Sequence, residues 1–299
     1  MPRTLILNQN NIVASSGNST FLYSFPTGGV QFKDDYIAVQ QISLYNSVFN
    51  ISATNNNNYF SYEWVDGTIH KVELPDSYLE LDEINASLQA YMVGLGHFLI
   101  SSSGDYVYFL EIVLNPSRYA DQINSFLMSS SIATTNGWTL PPGATWAIPT
   151  NVICPMFIVP NTNFQKIIGF TAGKYPEAEI IPTVPNKYQS PTFTTNQSFL
   201  SSTAPQIIPE PNYLCVCSLV SNNLAMPSQL VYSLTPQGAP FGSLYVNQVS
   251  ELSFNKIENG QYPQFTFRFI DSLGNAIVLQ DPNTLILLVI KNKSELGFL

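Results

Sequence analysis

Residues 264–293, QFTFRFIDSLGNAIVLQDPNTLILLVIKNK, constrain the fold more than any other stretch of this chain. Two apolar runs flank a Gly274-Asn275 turn, and a third run closes the chain almost at its end. Glycine and asparagine supply the positive φ that a tight hairpin turn needs. The stretch therefore reads as a β-meander. It carries no nucleophile, no ligand cluster and no phosphate-binding loop. A chain whose strongest pattern is of this kind folds as antiparallel β.

The rest of the chain repeats the signal. Short apolar alternations recur between Gly, Pro, Asn and Asp. TFLYSF (20–25) alternates and PTGG turns it. Residues 34–52 form a long β-rich run, with Ile37, Val39, Gln41, Ser43 and Tyr45 on one face and Tyr36, Ala38, Gln40, Ile42 and Leu44 on the other. Apolar groups on both faces suit a strand covered on two sides. Residues 59–75 hold the best hairpin signal, with Asp66-Gly67 between two alternating runs; that dipeptide favours a type I′ turn. Residues 81–96 predict one helix. Ile84, Leu88, Tyr91, Met92 and Leu95 form its stripe, Asp82 is its N-cap or the acid of its first turn, and Gly94 and Gly96 stop it. DYVYFLEIVLN (105–115) is again strand-like.

Beyond Pro116 the periodicity weakens. NVICPMFIVP reads as a strand and NFQKIIGF as a short turn of helix or strand. Further on, a proline every few residues excludes a helix or a central strand. Order resumes at NYLCVCSLV. The count is eight to ten strands and one helix, with connections too short for parallel crossovers. The expected fold is all-β: a single jelly roll, an antiparallel β sandwich, with one short helix and a long Pro-rich insertion. One domain covers 1–299, with the insertion at 116–211. The Cys…Trp…Cys hallmark of an immunoglobulin sandwich is missing.

Composition excludes several classes of function. Charged residues make up 10% and the formal net charge is −9. Soluble domains average about 25% charged residues. Such a surface repels its neighbours weakly, which suits a protein packed against other proteins. The eleven Lys and Arg are scattered, so direct nucleic-acid binding is not expected. No apolar run is long enough to span a membrane, and the N-terminal apolar stretch is too short for a signal peptide, so the chain is expected to be made and kept inside the cell. On that reading the sequons at Asn18, Asn50, Asn85, Asn196 and Asn292 are accidents of composition.

Candidate chemistry is sparse. Cys215 and Cys217 share one face of a strand, and with Cys154 they read as buried core thiols rather than a disulfide framework or a metal site. His70 lies in a hairpin strand and His97 just past the helix; with no G-x-S-x-G elbow, each reads as structural or exposed. Asp34 and Asp35 would point to opposite faces, and Asp82 and Glu83 fit a helix start. Glu177 and Glu179 share a face if extended and leave a Ca²⁺ site open. Trp64, Trp138 and Trp146 could stack sugars, but fit core or interface as well. No catalytic, cofactor-binding or metal residues are assigned, and no cofactor or enzyme activity is expected.

LCVCSLVSNN…TLILLVIK (214–291), FQKIIGFTAGKYP (164–176) and DGTIHKVELPDSYLELDEINASLQ (66–89) resemble segments of the penton (minor capsid) proteins of virophages and Polinton-like elements, of the mavirus type. The resemblance covers about two thirds of the chain and is weakest over 116–162 and 177–211. It implies a jelly roll that forms a homopentamer at the five-fold vertices of an icosahedral capsid, within the virion. The implied neighbours are trimers of a double-jelly-roll major capsid protein. No catalytic residues come with it. LILNQNNIV near the N-terminus could add a strand to a neighbour, and the Pro-rich middle is the natural outward insertion. The main alternative is a receptor- or carbohydrate-binding β module, such as a spike head. A cupin-like enzyme needs more histidines, and a double-jelly-roll capsid protein needs roughly twice this length.

Overall fold

The computed structural model describes residues 2–176, 197–207, 212–221, 225–236 and 239–297. The chain forms two compact units, one of Met1–Phe49 with Glu210–Leu299 and one of Asn50–Pro209. The first opens with β1 (Arg3–Leu7), β2 (Thr20–Ser24), β3 (Val30–Phe32) and β4 (Asp35–Tyr45). The second holds β5 (Tyr59–Glu63), β6 (Ile69–Glu73), α1 (Leu81–Leu95), β7 (Leu99–Ile100), β8 (Tyr106–Val107), β9 (Leu110–Asn115) and β10 (Ala120–Ser125), then α2 (Ser130–Asn136), β11 (Met156–Val159), α3 (Phe164–Ile168), β12 (Gly173–Tyr175) and β13 (Gln197–Leu200). The chain then returns to the first unit with β14 (Tyr213–Cys217), β15 (Leu230–Leu234), β16 (Leu244–Gln248), β17 (Asn255–Lys256), β18 (Gly260–Tyr262), β19 (Gln264–Ile270) and β20 (Leu285–Asn292).

The first unit has two four-strand paths, β1-β20-β4-β16 and β15-β14-β19-β2, with β17 also on β4. Leaving aside β17 and the small β3–β18 pair, its strands counted along the chain run 1-8-3-6 and 2-7-4-5. Successive strands change sheet except for the fourth and fifth, β14 and β15, which pair as neighbours, and the last returns beside the first; this is the double Greek-key wrap of a jelly roll. Phe21, Cys215, Cys217, Phe267 and Phe269 from one sheet and Leu7, Ile42, Leu44, Ile286, Leu288 and Ile290 from the other fill one core.

The meander expected at 264–293 does not form. β19 and β20 lie in different sheets, and NAIVLQ contributes only a bridge, Ile270 to Ala276, while Ile277 and Leu279 drop into the core. The turn is built by Asp271, whose Oδ1 accepts from Leu273 N (2.9 Å) and Asn275 N (2.7 Å); only Gly274 takes positive φ. β1 pairs in cis with β20, so the N-terminal strand expected to reach a neighbour completes its own sheet.

β4 explains why its two faces looked alike in the sequence. Leu287 opposes Gln41 and Leu288 opposes Val39, which leaves Gln40 as an extra residue. This β-bulge switches the faces. Ile37 and Val39 before it, and Ile42 and Leu44 after it, all point to the core.

The second unit starts at Asn50, well before the insertion expected at 116–211. The hairpin and helix between them serve a second core rather than the jelly roll. Phe60, Tyr62, Trp64, Ile84, Leu88, Met92, Ile112, Ile123 and Phe157 belong to it. Its sheets run β12-β11-β5-β6 and β13-β10-β9, with β7–β8 as a small pair. Residues 177–196 and 208–211, including Glu177, Glu179, Asn196 and most of the Pro-rich stretch, lie outside the described residues.

Local signals account for several of these elements. The hairpin β5–β6 turns through Val65-Asp66-Gly67, closed by Trp64 N to Thr68 O (2.9 Å) and Gly67 N to Trp64 O (3.0 Å). Only Gly67 has positive φ, so this is a three-residue loop and not the type I′ turn expected. In α1, Ile84, Leu88 and Met92 are buried, while Tyr91, at the edge of the stripe, and Leu95, in the last turn, are exposed. Glu80 is the N-cap, its N–H held by the Glu83 carboxylate at 2.8 Å, and Asp82 sits in the first turn. At the other end, Gly96 is left-handed and donates to Val93 O, and His97 N donates to Met92 O at 2.8 Å. This Schellman arrangement stops the helix.

Candidate functional site

Among the described residues, one sheet of the jelly roll exposes aliphatic side chains on the face away from the core. In the sheet β1-β20-β4-β16, residues alternating with the core set point away from the core. Ile6 opposes Leu287, Leu285 opposes Ser43, Ser43 opposes Val246, and Tyr45 opposes Leu244. Ile6, Leu244 and Val246 are each about half exposed. A solvated antiparallel face normally alternates to polar residues. Here aliphatic residues stand on β1, β20 and β16, with Gln41, Ser43 and Tyr45 of β4 between them, and a shallow recess beside them is lined by Asn8, Tyr45, Leu244 and Thr284.

The second unit brings together the chain's only two histidines, 27 positions apart in sequence. The Schellman turn of α1 drops His97 inward to 4% exposure. Its ring stacks on Trp64 at 4.6 Å and 3°, meets Trp146 edge-on at 6.4 Å, and lies 4.8 Å from His70. Trp146 Nε1 donates to Gly96 O at 2.7 Å and holds this corner. Tyr62 Oη and His97 Nδ1 are 2.8 Å apart. The buried Tyr62 hydroxyl, pushed well up by burial and by Tyr91, keeps its proton and donates it to Nδ1. Burial first, then His70, drives His97 down to about 4, with Asp66 pulling the other way. A desolvated cation stacked on Trp64 would recover about 2 kcal/mol. The shift from 6.5 corresponds to about 3 kcal/mol, so the neutral ring is favoured.

Asp66, Thr68 and His70 line up as acid, hydroxyl and imidazole. Thr68 Oγ1 gives its single proton to Asp66 Oδ1 at 2.6 Å, so His70 Nε2 donates to Thr68 at 2.7 Å. An activated nucleophile must give its proton to the imidazole. The polarity here is reversed.

Asp121 on β10 is the other unusual group. It is 1% exposed, on the same strand face as Ile123, and neither carboxylate oxygen has a hydrogen-bond partner. Burial raises it to about 7. In sequence, ADQINS reads as an ordinary polar stretch, and only the pairing of β10 between β9 and β13 reveals the burial.

The other residues singled out in the sequence have structural positions. Asp35 is buried and accepts from Arg3 at 2.7 Å, while Asp34 is half-buried near Lys256. The three cysteines are buried, and none of them forms a disulfide. Burial pushes Cys217 up to about 12 and Cys215 well above its ordinary value, so neither is poised as a thiolate. Asn50 is fully buried, bonding Leu79 O and Ile207 O through Nδ2, and Asn85 accepts from Ile112 N. Asn18 binds Leu279 O, and Asn292 caps the turn that follows β20. Trp64 and Trp146 are buried; Trp138 packs edge-on against Phe109. Among the described residues, no three of His, Cys, Asp and Glu gather as a metal cluster, and no helix is long and apolar enough to cross a membrane.

The class these features define is an eight-stranded jelly roll carrying a folded insertion between its third and fourth strands. Among solved structures, the chain is similar to the selenomethionine-labelled mavirus penton protein, at 11% identity and a TM-score of 0.45, over 97% of both chains. It is also similar to a chain in the cryo-EM structure of the Sputnik virophage, at 10% identity and a TM-score of 0.39, over 100% of this chain and 99% of that one. No family model and no curated protein matches. At these values the likeness is recorded as such, and the strand order carries the fold.

Proposed function

We propose that this chain is a structural capsid protein that closes into homopentamers at the five-fold vertices of an icosahedral shell. The observation that carries this reading is the set of aliphatic residues on the outer face of β1-β20-β4-β16. β20, LILLVIKN, is apolar on both faces although only one faces the core. A strand of that kind calls for cover on its second face. A head-to-tail contact repeated around an axis supplies cover and closes a ring. The low charge density and the resemblance of 214–291 to penton proteins agree with it. The surrounding shell would be a double-jelly-roll major capsid protein, which makes the virion the site of action.

Light scattering on the purified chain tests the ring. The expected mass is close to five times the 33.2 kDa subunit. Val246→Glu on that face should reduce it to one subunit while changing the stability of the fold by less than about 0.5 kcal/mol. A wild-type monomer at high concentration overturns the autonomous ring.

A second reading, a receptor- or carbohydrate-binding head, draws on Tyr106. Its ring packs on Phe98 at 4.3 Å and remains half exposed, as a sugar-stacking platform would. A clean trimer with glycan affinity lost in Tyr106→Ala would favour it.

A further inference from the structure

We propose that His70 and His97 form an acid-opened latch that clamps the tip of the β5–β6 hairpin against the end of α1 while both imidazoles are neutral and releases it when protons are added. This goes beyond the capsid reading and does not depend on it.

The clamp is built entirely within the second unit. The hairpin supplies Tyr62, Trp64 and His70; the turn after α1 supplies His97; and the segment 141–150 supplies Trp146 and brings no charge. The titratable neighbours of His97 are His70, Asp66 and Tyr62, and Tyr91 of α1 meets the Tyr62 ring edge-on at 6.5 Å. Asp66 is the only carboxylate among them. Its Oδ1 accepts both Thr68 N and Thr68 Oγ1, and among the described residues the bond to His97 Nδ1 comes from Tyr62.

Protonation breaks the arrangement in two ways. Neutral His97 accepts the Tyr62 proton at Nδ1. Once Nδ1 carries its own proton it can only donate to the Tyr62 oxygen, and the buried hydroxyl proton loses its acceptor. In addition, His70 faces His97 at 4.8 Å, and two imidazolium rings cannot share that contact without repulsion. Trp64 Nε1 is already buried without an acceptor, so the clamp has little to hold it once the imidazoles repel. Opening hydrates both histidines and the indole N–H. The hairpin turn is closed by two backbone bonds, so it can open while Tyr62 and His70 stay paired in β5 and β6 and the turn carrying His97 moves away from them.

The full chain should be followed from pH 7.5 to 4.5 by amide exchange, corrected for intrinsic rate, and by tryptophan emission. Protection at 64–70 and 96–98 is expected to fall at least tenfold and reversibly, while protection in β9 and β10 holds. His70→Gln removes the facing charge and leaves buried His97 intact. It should retain the tip's protection to a pH lower by on the order of one unit. His97→Gln, which can still accept from Tyr62, should abolish the step. Unchanged wild-type protection at 64–70 down to pH 4.5 overturns the proposal, as does an opening in His70→Gln at the wild-type pH.

Discussion

Asp121 and His97 should tilt the stability of the second unit in opposite directions with pH, so that the wild type hides both. Between pH 3.8 and about 7, folded Asp121 holds a proton that the unfolded chain has released. Stability therefore falls as pH rises through that window. Between about 4 and 6.5, the unfolded chain holds a proton that folded His97 refuses, so stability rises with pH. At about 1.4 kcal/mol per unit, the step from pH 5 to 8 removes about 3 kcal/mol through Asp121 and restores about 2 through His97. The wild type should change by less than about 1 kcal/mol. Asp121→Asn should gain about 2 kcal/mol over the same step, and His97→Gln should lose about 3. Urea midpoints at four pH values, read from a probe in the second unit, test this. A flat profile for Asp121→Asn would refute the reasoning, because it would mean that no buried carboxylate had been masking the histidine.

Two further substitutions test the packing. Gly169→Ala places a Cβ against Thr203 O, far inside van der Waals contact, at φ +71°, whereas Gly137→Ala meets open space at φ +67°. Each pays for the left-handed backbone, about 1–2 kcal/mol, but Gly169→Ala should cost at least about 2 kcal/mol more, visible as a lower Tm. In the first unit, Asp35→Ala should cost about 2–3 kcal/mol by denaturant midpoint, since Lys33 N and Arg3 lose a buried acceptor. Arg3→Ala should cost less than about 1 kcal/mol, because Arg3 is half exposed.

Local patterns survived folding wherever a short segment decided its own structure. Asp66-Gly67 made a hairpin, the 84-88-92 spacing made α1, and Gly96 ended it. The all-β class followed from the density of such segments. What could not be read depended on distant partners. The bulge at Gln40 exists because β20 pairs on both sides of it, and Gln40-Gln41 gives no periodic hint. The meander failed because β20 found β1 and β4 instead of β19. The two histidines meet because a helix of 15 residues lies between their strand and their turn, a distance that no motif spans. Asp121 looked like any loop acid, and its burial is a property of the strands on either side.

The placement of the second unit in the chain explains how the jelly roll tolerates it. Loop-closure cost grows only logarithmically with length, so each doubling adds about 0.6 kcal/mol. An insertion of this size is therefore cheap if it buries its own apolar surface and leaves the host strands pinned. Both conditions hold. The second core shares no residue with the first. The exit of β4 is fixed before the insertion begins: Asn46 N donates to Ser243 O at 3.0 Å, Asn46 O accepts from Gly242 N at 2.7 Å, Asn46 Nδ2 donates to Ala239 O at 2.7 Å, and Ser47 Oγ accepts from Asp281 N at 3.1 Å. The insertion thus springs from a clamped loop end rather than from a free strand. Changes within 50–209 can then alter what that unit does without shifting the register of β4, and β4 is the strand that links β20 to β16 beneath the exposed aliphatic residues.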